Sequence, residues 1–334
     1  MNKNTPFPRR DFLKTLGLAG AGIVLGRHAF AEGVEKADEF QIPRRKFGRH
    51  DFTVSSLCLG GHTLALAPLE EARKIVDRAL EVGLDFFDNA WDYHNGGAEE
   101  LMGQLIEGRR DKVFLMTKVC SNHQGKGRER AMEMLEESLK RLRTDYLDLW
   151  QLHEVTNMEQ VESAFAPGGT LEALVEAKKQ GKVRYIGFTG HSLPEVHLAM
   201  LSRGFEFDSC QLPISGGGRH HGKKFREEVL PEIVRQGIAA LGMKTMGGDA
   251  SLIRDGKLTP KEALGYALST PVSTVVSGIR RLSELEENAR IAATFKPMNG
   301  EQMSAVERRF SEGDELRYAR YSCHGYRDGY GLQA

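Results

Sequence analysis

Short apolar runs alternate with longer amphipathic stretches along most of the chain. VSSLCLGG (54–61) and FFDNA (86–90) have the length of strands. LEEARKIVDRALEVG between them places apolar residues at i, i+3 and i+4, the period of a helix. Six more strand-like runs follow: VFLMTKV (113–119), LDLWQLH (147–153), RYIGFTG (184–190), SCQLP (209–213), GIAALGM (237–243) and STVVSG (273–278). Helical patterns such as ERAMEMLEESLKRLRTD separate them. Ahead of this series, RRKFG and FTVSSL flank Arg49-His50-Asp51 and predict a hairpin closing one end. Beyond residue 295 one more helix is expected, from Gln302 to Glu312, followed by the aromatic, glycine-rich YARYSCHGYRDGYG.

Apolar strands alternating with helices predict a parallel sheet covered on its outer face. Eight such units without a break in composition favour an α/β fold of the closed (β/α)8 TIM barrel type, with an N-terminal β-hairpin and a C-terminal helix plus tail. The alternative, an open doubly wound sheet, carries a glycine fingerprint after its first strand, which LCLGGHTLA does not supply. The barrel is expected over residues 43–295, and 296–334 form the helix and a tail that can act as a lid.

Charge changes this picture little. Lys+Arg and Asp+Glu stand at 46 each, so nothing argues for nucleic acid as a partner. No apolar run reaches the ~18 residues of a spanning helix. Cys58, Cys120, Cys210 and Cys323 lie far apart without CxxC spacing, which argues against zinc ribbons and iron–sulfur loops. The N-terminus is different: TPFPRRDFLKTLGLAGAGIVLGRHAFAEG joins Arg9-Arg10 to a mild apolar stretch and ends in Ala29-Phe30-Ala31. It resembles a bacterial twin-arginine export signal over residues 1–31, cleaved after Ala31, with a linker over 32–42 and a periplasmic destination. GLAGAG within it imitates a phosphate loop, but no strand precedes it.

In a parallel barrel the strand C-termini share one face. Asp88 and Tyr93 follow the second strand, Lys118 ends the third and His153 the fourth. A phenol is a weak acid near neutral pH, and a neighbouring ammonium favours its anion. A carboxylate beside that ammonium keeps it charged and placed. Asp88, Lys118 and Tyr93 make such a relay, and His153 can orient a reacting oxygen. The set suits protonation of a carbonyl oxygen as hydride reaches the carbon.

GLDFFDNAWDY with EELMG, TKV, QLH, VRYIGFTGHS and CQLP, together with the hairpin RRKFGRHDFTVSSLCLGG, resemble the aldo-keto reductases over residues 43–295. The resemblance implies NADP(H), leaning over NAD(H), bound without a Rossmann fold, and a small carbonyl substrate. By position it implies Tyr93 as general acid–base, tuned by Lys118 and Asp88, with His153 orienting the carbonyl. Gln211 matches the residue holding the nicotinamide carboxamide. The family's usual Ser-Asn is Thr189-Gly190 here, keeping a hydroxyl and losing an amide. Met243 stands where many members stack an aromatic ring, and Lys244 with Gly247-Gly248 falls near the pyrophosphate. SGIRRLSELEENARI resembles the adenosine-end loop. It offers Gly278, Glu287 and Asn288 to the adenosine, Arg280 or Arg281 to a 2′-phosphate, and Glu284 as a carboxylate that would prefer a free 2′-hydroxyl.

No metal site is expected. SGGGRHHGKK (215–224) reads as a loop over cofactor or substrate, and tyrosines 318, 321 and 326 as a lid. The leading expectation is an NAD(P)H-dependent oxidoreductase acting on aldehydes or ketones, or on alcohols in reverse. Export would place it where free nicotinamide is scarce, so a periplasmic redox partner is expected with it. The alternative is an exported, nicotinamide-loaded binding or sensory subunit with little turnover.

Overall fold

The computed structural model describes residues 40–120, 127–217, 224–322, 326–327 and 331–332. The export-signal segment, most of the linker, Cys323-His324 and the centre of the 215–224 loop lie outside these residues.

The strands are β1 (Arg44–Lys46), β2 (Thr53–Ser55), β3 (Leu57–Gly60), β4 (Phe86–Asp88), β5 (Phe114–Val119), β6 (Leu147–Leu152), β7 (Val183–Thr189), β8 (Ser209–Pro213), β9 (Ala239–Met243) and β10 (Thr274–Gly278). β3 to β10 form a closed barrel in chain order, all parallel, with β10 pairing back onto β3. Helices follow each strand and cover the outside. In Leu69–Glu81 the buried residues are Ala72, Ile75, Val76 and Ala79, one stripe at helical spacing. In Arg128–Arg141 they are Ala131, Met134, Leu135, Ser138 and Leu139.

Two expected elements have different limits. The run 54–61 is not one strand. Val54 and Ser55 pair with β1, and Ser56 donates its N–H to Pro43 O at 2.8 Å, so the chain leaves the hairpin before entering the barrel at Leu57. The tail helix spans Gly300–Glu307 rather than 302–312, because Asn299 and Gln302 form a reciprocal capping box that sets its start.

Side chains alternate along each strand, and this divides the core. Leu59, Phe87, Leu115, Trp150, Phe188 and Cys210 face the helices in one large cluster. Cys58, Phe86, Met116, Leu149, Ala239 and Leu241 form a separate cluster inside the barrel. The β1–β2 hairpin closes this interior from the N-terminal end. Phe47 is fully buried, with its ring centroid 5.2 Å from Phe114, 5.6 Å from Tyr185 and 6.4 Å from Phe86. Gly48 makes this approach feasible: its φ is +54°, and a Cβ there would come within 2.5 Å of the Ala239 nitrogen.

Three aspartates brace the same end. Asp85, Asp148 and Asp208 accept backbone N–H bonds from Ser55 at 3.1 Å, Leu115 at 2.9 Å and Ile186 at 2.9 Å. Each takes a hydrogen bond from the strand preceding its own, or from the chain leading into it, and each also pairs with cations: Arg44, then Arg110 and Arg184, then Arg49 and Lys178.

Candidate active site

The alternation that puts Phe86, Met116 and Leu149 inside also puts Asp88, Lys118 and Gln151 inside, two residues nearer the strand C-termini. The lumen therefore changes from aromatic to polar towards its mouth. Lys118 and Asp88 are both buried and form an ion pair through Nζ and Oδ1. Lys118 Nζ also donates to Asn89 O at 2.7 Å and to the Tyr93 hydroxyl at 3.4 Å. The ammonium lies 4.9 Å from the Tyr93 ring centroid. His153 is buried with its ring 5.8 Å from that of Tyr93, edge to face. The structure thus brings together all four residues expected to carry the chemistry.

The segment holding Tyr93 is fastened to the barrel. Asn89 N–H bonds to Met116 O at 3.0 Å and Trp91 N–H to Lys118 O at 3.1 Å, continuing the pairing of β4 with β5 past the last residue of β4. The Asn89 side chain donates to Ala98 O at 2.9 Å, and Trp91 Nε1 to Glu137 at 2.7 Å. Behind it, the fully buried Glu99 accepts from Thr117 at 2.6 Å and pairs with Arg141 at 3.2 Å; burial pushes its carboxyl upward from the usual range. Tyr93 itself opens a short 3₁₀ turn, Tyr93–Gly96, in which His94 and Asn95 hold φ of 52° and 55°.

Residues outside the expected set complete the mouth. Cys120 Sγ lies 3.1 Å from His153 Nδ1, and Asp92 Oδ1 lies 3.5 Å from the same nitrogen. Burial drives the Cys120 thiol up to about 12, so it is a protonated neighbour near neutral pH. Gln151 donates to Ser209 Oγ at 2.9 Å.

The expected cofactor residues occupy one continuous arc of the rim. Gln211, in β8, donates to Asp88 Oδ2 at 3.4 Å, while its buried Oε1 has no hydrogen-bond partner among the described residues. An orphaned buried acceptor beside Asp88 suits a primary amide donor such as the nicotinamide carboxamide. Thr189 ends β7 in register with Gln211, and Met243 ends β9 opposite Pro213. Gly190 has a packing reason: a Cβ there would meet Val155 O at 2.4 Å and His197 Cε1 at 2.9 Å. No asparagine side chain could start from this backbone position. Lys244 follows with φ of 56°, ahead of Gly247 and Gly248 at 89° and 71°.

Gly278 closes β10 with Thr63 Oγ1 2.5 Å from where a Cβ would sit. The carboxylate of Glu284 accepts the backbone N–H groups of Arg280 at 2.8 Å and Arg281 at 3.2 Å, and pairs with Arg281 Nη2 at 2.7 Å. It caps the helix Leu282–Thr294. Arg280 and Glu287 are exposed, and Asn288 is buried with its amide donating to Ser277 Oγ at 3.1 Å. Of the three lid tyrosines, Tyr321 lies over this rim, its ring 3.0 Å from a Gly248 Cβ position and 5.9 Å from the His191 ring. Tyr318 packs against Phe310 instead, 6.0 Å between centroids, and the side chain of Tyr326 is outside the description.

An eight-stranded parallel barrel with an Asp–Lys pair, a tyrosine and a histidine at its mouth defines an oxidoreductase of one barrel class. The Aldo/keto reductase family profile matches residues 56–262, and the chain belongs to that family. It is 26% identical over 300 residues to the uncharacterized oxidoreductase YqkF of Bacillus subtilis, covering 79% of this chain and 95% of that one. It is also 26% identical over 308 residues to L-galactose dehydrogenase of Arabidopsis thaliana, covering 80% and 94%. Among solved structures, the holo form of an aldo-keto reductase from Bacillus halodurans aligns with a TM-score of 0.66 and 26% identity, over 80% of this chain and 96% of that one. A Klebsiella pneumoniae aldo-keto reductase in complex with NADPH shares the fold, with a TM-score of 0.64 and 23% identity over 80% and 95% of the two chains.

Proposed function

We propose that this oxidoreductase reduces an aldehyde or ketone with NAD(P)H, with Tyr93 as the proton donor. The observation that carries the proposal is the buried Lys118 ammonium, held by Asp88 on one side and reaching the Tyr93 hydroxyl on the other. A nicotinamide bound along the rim supplies hydride to the carbonyl carbon. The chain's own residues do the rest. His153 donates to the carbonyl oxygen and holds it near the phenol. The Tyr93 O–H bond breaks as its proton moves to that oxygen, and the phenolate left behind faces the ammonium, which stabilises it. Gln211 Oε1 fixes the carboxamide, and Thr189 adds a hydroxyl at the same end. Replacing Tyr93 by Phe removes only the proton donor. We expect kcat for a panel of aldehydes to fall by about 10²–10⁴, with coenzyme affinity unchanged. Unchanged turnover in that variant would remove Tyr93 from this role.

The relatives named above are described as an oxidoreductase, a dehydrogenase and aldo-keto reductases, and a loaded subunit without turnover gains nothing from them. The coenzyme reading leans to NADP(H), because Glu284 is occupied as a helix cap while the Arg280 side chain is exposed and has no ion pair among the described residues.

The reading extends to location. Arg9-Arg10 and Ala29-Phe30-Ala31 support export of the folded chain to the periplasm, with its coenzyme aboard and a redox partner to recycle it. Fractionation of cells expressing the full chain should find the protein in the periplasm. Replacing Arg9 and Arg10 by Lys should retain it in the cytoplasm, and equal distribution of both forms would end the export reading.

A further inference from the structure

Asp92, Cys120 and His153 each offer a ligand atom, and these atoms all lie within 4.8 Å of one another. All three residues are buried, and they come from different places in the chain. The pairing of β5 with β6 carries Val119 opposite Leu152, and His153 N–H bonds to Val119 O at 2.9 Å, which sets Cys120 beside His153. Asp92 is brought in by the Trp91 bond to Lys118 O at 3.1 Å. The ligand atoms are therefore positioned by barrel backbone, not by mobile side chains alone.

We propose that Asp92 Oδ1, Cys120 Sγ and His153 Nδ1 form a binding site for a thiophilic divalent cation of the zinc class. Three arguments support it. The first is spacing. Bond lengths of ~2.3 Å to sulfur and ~2.0 Å to nitrogen and oxygen, at tetrahedral angles, require ligand atoms ~3.3–3.6 Å apart. The nitrogen–oxygen distance here is 3.5 Å, the sulfur–nitrogen distance of 3.1 Å must widen by ~0.4 Å on binding, and all three ligand atoms lie within 4.8 Å of one another. The second is donor type. Thiolate with imidazole and one carboxylate selects zinc, cobalt or iron over magnesium and calcium, which favour oxygen ligands. The third is charge. A divalent ion, a thiolate and a carboxylate sum to zero, so the occupied site holds no net charge in a region that water barely reaches.

On binding, the Cys120 S–H bond breaks, its proton goes to solvent and a metal–sulfur bond forms; no oxidant or reductant takes part. With three protein ligands a fourth position stays open, the pattern of a reactive rather than a purely structural centre. A metal on Nδ1 also leaves the remaining ring proton on Nε2, which fixes His153 as a donor from that nitrogen. The site therefore couples a metal to the residue that orients the carbonyl. Its existence does not depend on the reductase reading.

The test uses the untagged full chain, stripped of metal and titrated with Co²⁺. A near-ultraviolet thiolate-to-cobalt charge-transfer band should grow to one equivalent and vanish when Zn²⁺ is added. Cys120→Ala should abolish the band, and Asp92→Asn should weaken binding by at least about tenfold. Cobalt bound by histidines elsewhere gives no sulfur band, so it cannot imitate the result. Absence of the band in the wild type, or its survival in Cys120→Ala, overturns the proposal. Should Cys120→Ala fail to fold, X-ray absorption of the zinc-loaded wild type decides. One sulfur at ~2.3 Å with an imidazole at ~2.0 Å supports the site, and a shell without sulfur refutes it.

Discussion

His197 lies under the strand ends that carry Thr189 and Gln211. Its ring sits 5.3 Å from Phe188 and 4.8 Å from Phe225, and Nε2 donates to Gln211 O at 3.4 Å. Burial holds the imidazole down to about 4, against 6.5 in its ordinary state. Between these values the unfolded chain takes up a proton that the folded chain refuses. The stability associated with His197 is thus complete above pH 6.5 and is lost as pH falls towards 4, by about 3 kcal/mol in all. Urea melts should show that decline, and His197→Gln should flatten this part of the profile; an unchanged slope in the variant would assign the decline to other groups. Residue by residue, the site was partly legible. Asp88, Tyr93, Lys118 and His153 could be read because strand ends converge on one face whatever the details. Asp92 and Cys120 could not. Cys120 is far from His153 in sequence and becomes its neighbour only through the β5–β6 register, which side-chain pattern alone does not assign.

Among the elements, the N-terminus of the helix Leu282–Thr294 is where local bonding bears on the proposed coenzyme preference. The first N–H groups there are already taken by carboxylates: Arg280 and Arg281 donate to Glu284, and Leu282 donates to Glu71 at 2.8 Å. Arg280, Arg281 and Glu284 read from sequence as opposing preferences about a 2′-phosphate. In the fold, Glu284 bonds to the backbone of Arg280 and Arg281 and to the Arg281 side chain, which leaves Arg280 exposed as the cation at this terminus. Arg280→Ala is therefore expected to raise the Kd for NADPH by about tenfold, the size of one charge-assisted contact, and to leave NADH nearly unaffected. Fluorescence quenching with both coenzymes measures this, and equal losses would take the residue away from the phosphate. Element boundaries were less legible than element order. Ser56 breaks a continuous apolar run because its N–H turns back to Pro43, and Asn299 starts the tail helix two residues early by capping. Both effects come from single polar hydrogen bonds, which hydrophobic periodicity does not register.

Across the whole molecule, the two ends of the barrel have separate duties. The N-terminal end is closed by Phe47 and its aromatic neighbours, away from the polar mouth. Truncating a fully buried Phe leaves a cavity that costs roughly 3–5 kcal/mol. Phe47→Ala should lower the urea midpoint accordingly while kcat/KM at 25 °C stays within a few-fold of wild type. A large loss of kcat/KM in still-folded protein would mean that the floor and the mouth are coupled. The barrel class was legible from the eightfold alternation of strand and helix patterns, since few architectures accept that order. The closure by Phe47 was legible only as a hairpin, because nothing in its sequence indicates which ring enters the lumen.

The bracing aspartates have one more implication. Asp85, Asp148 and Asp208 each stand three positions before a lumen-facing polar residue, Asp88, Gln151 and Gln211 respectively. Each interval acts as a ruler: one end is nailed to the base and the other sets the height and side of a polar group towards the mouth. Removing or adding one residue inside any of these intervals would turn the terminal group out among the helices while its aspartate stayed in place. A one-residue insertion or deletion is therefore expected to be tolerated in the connections between strands and not within these intervals.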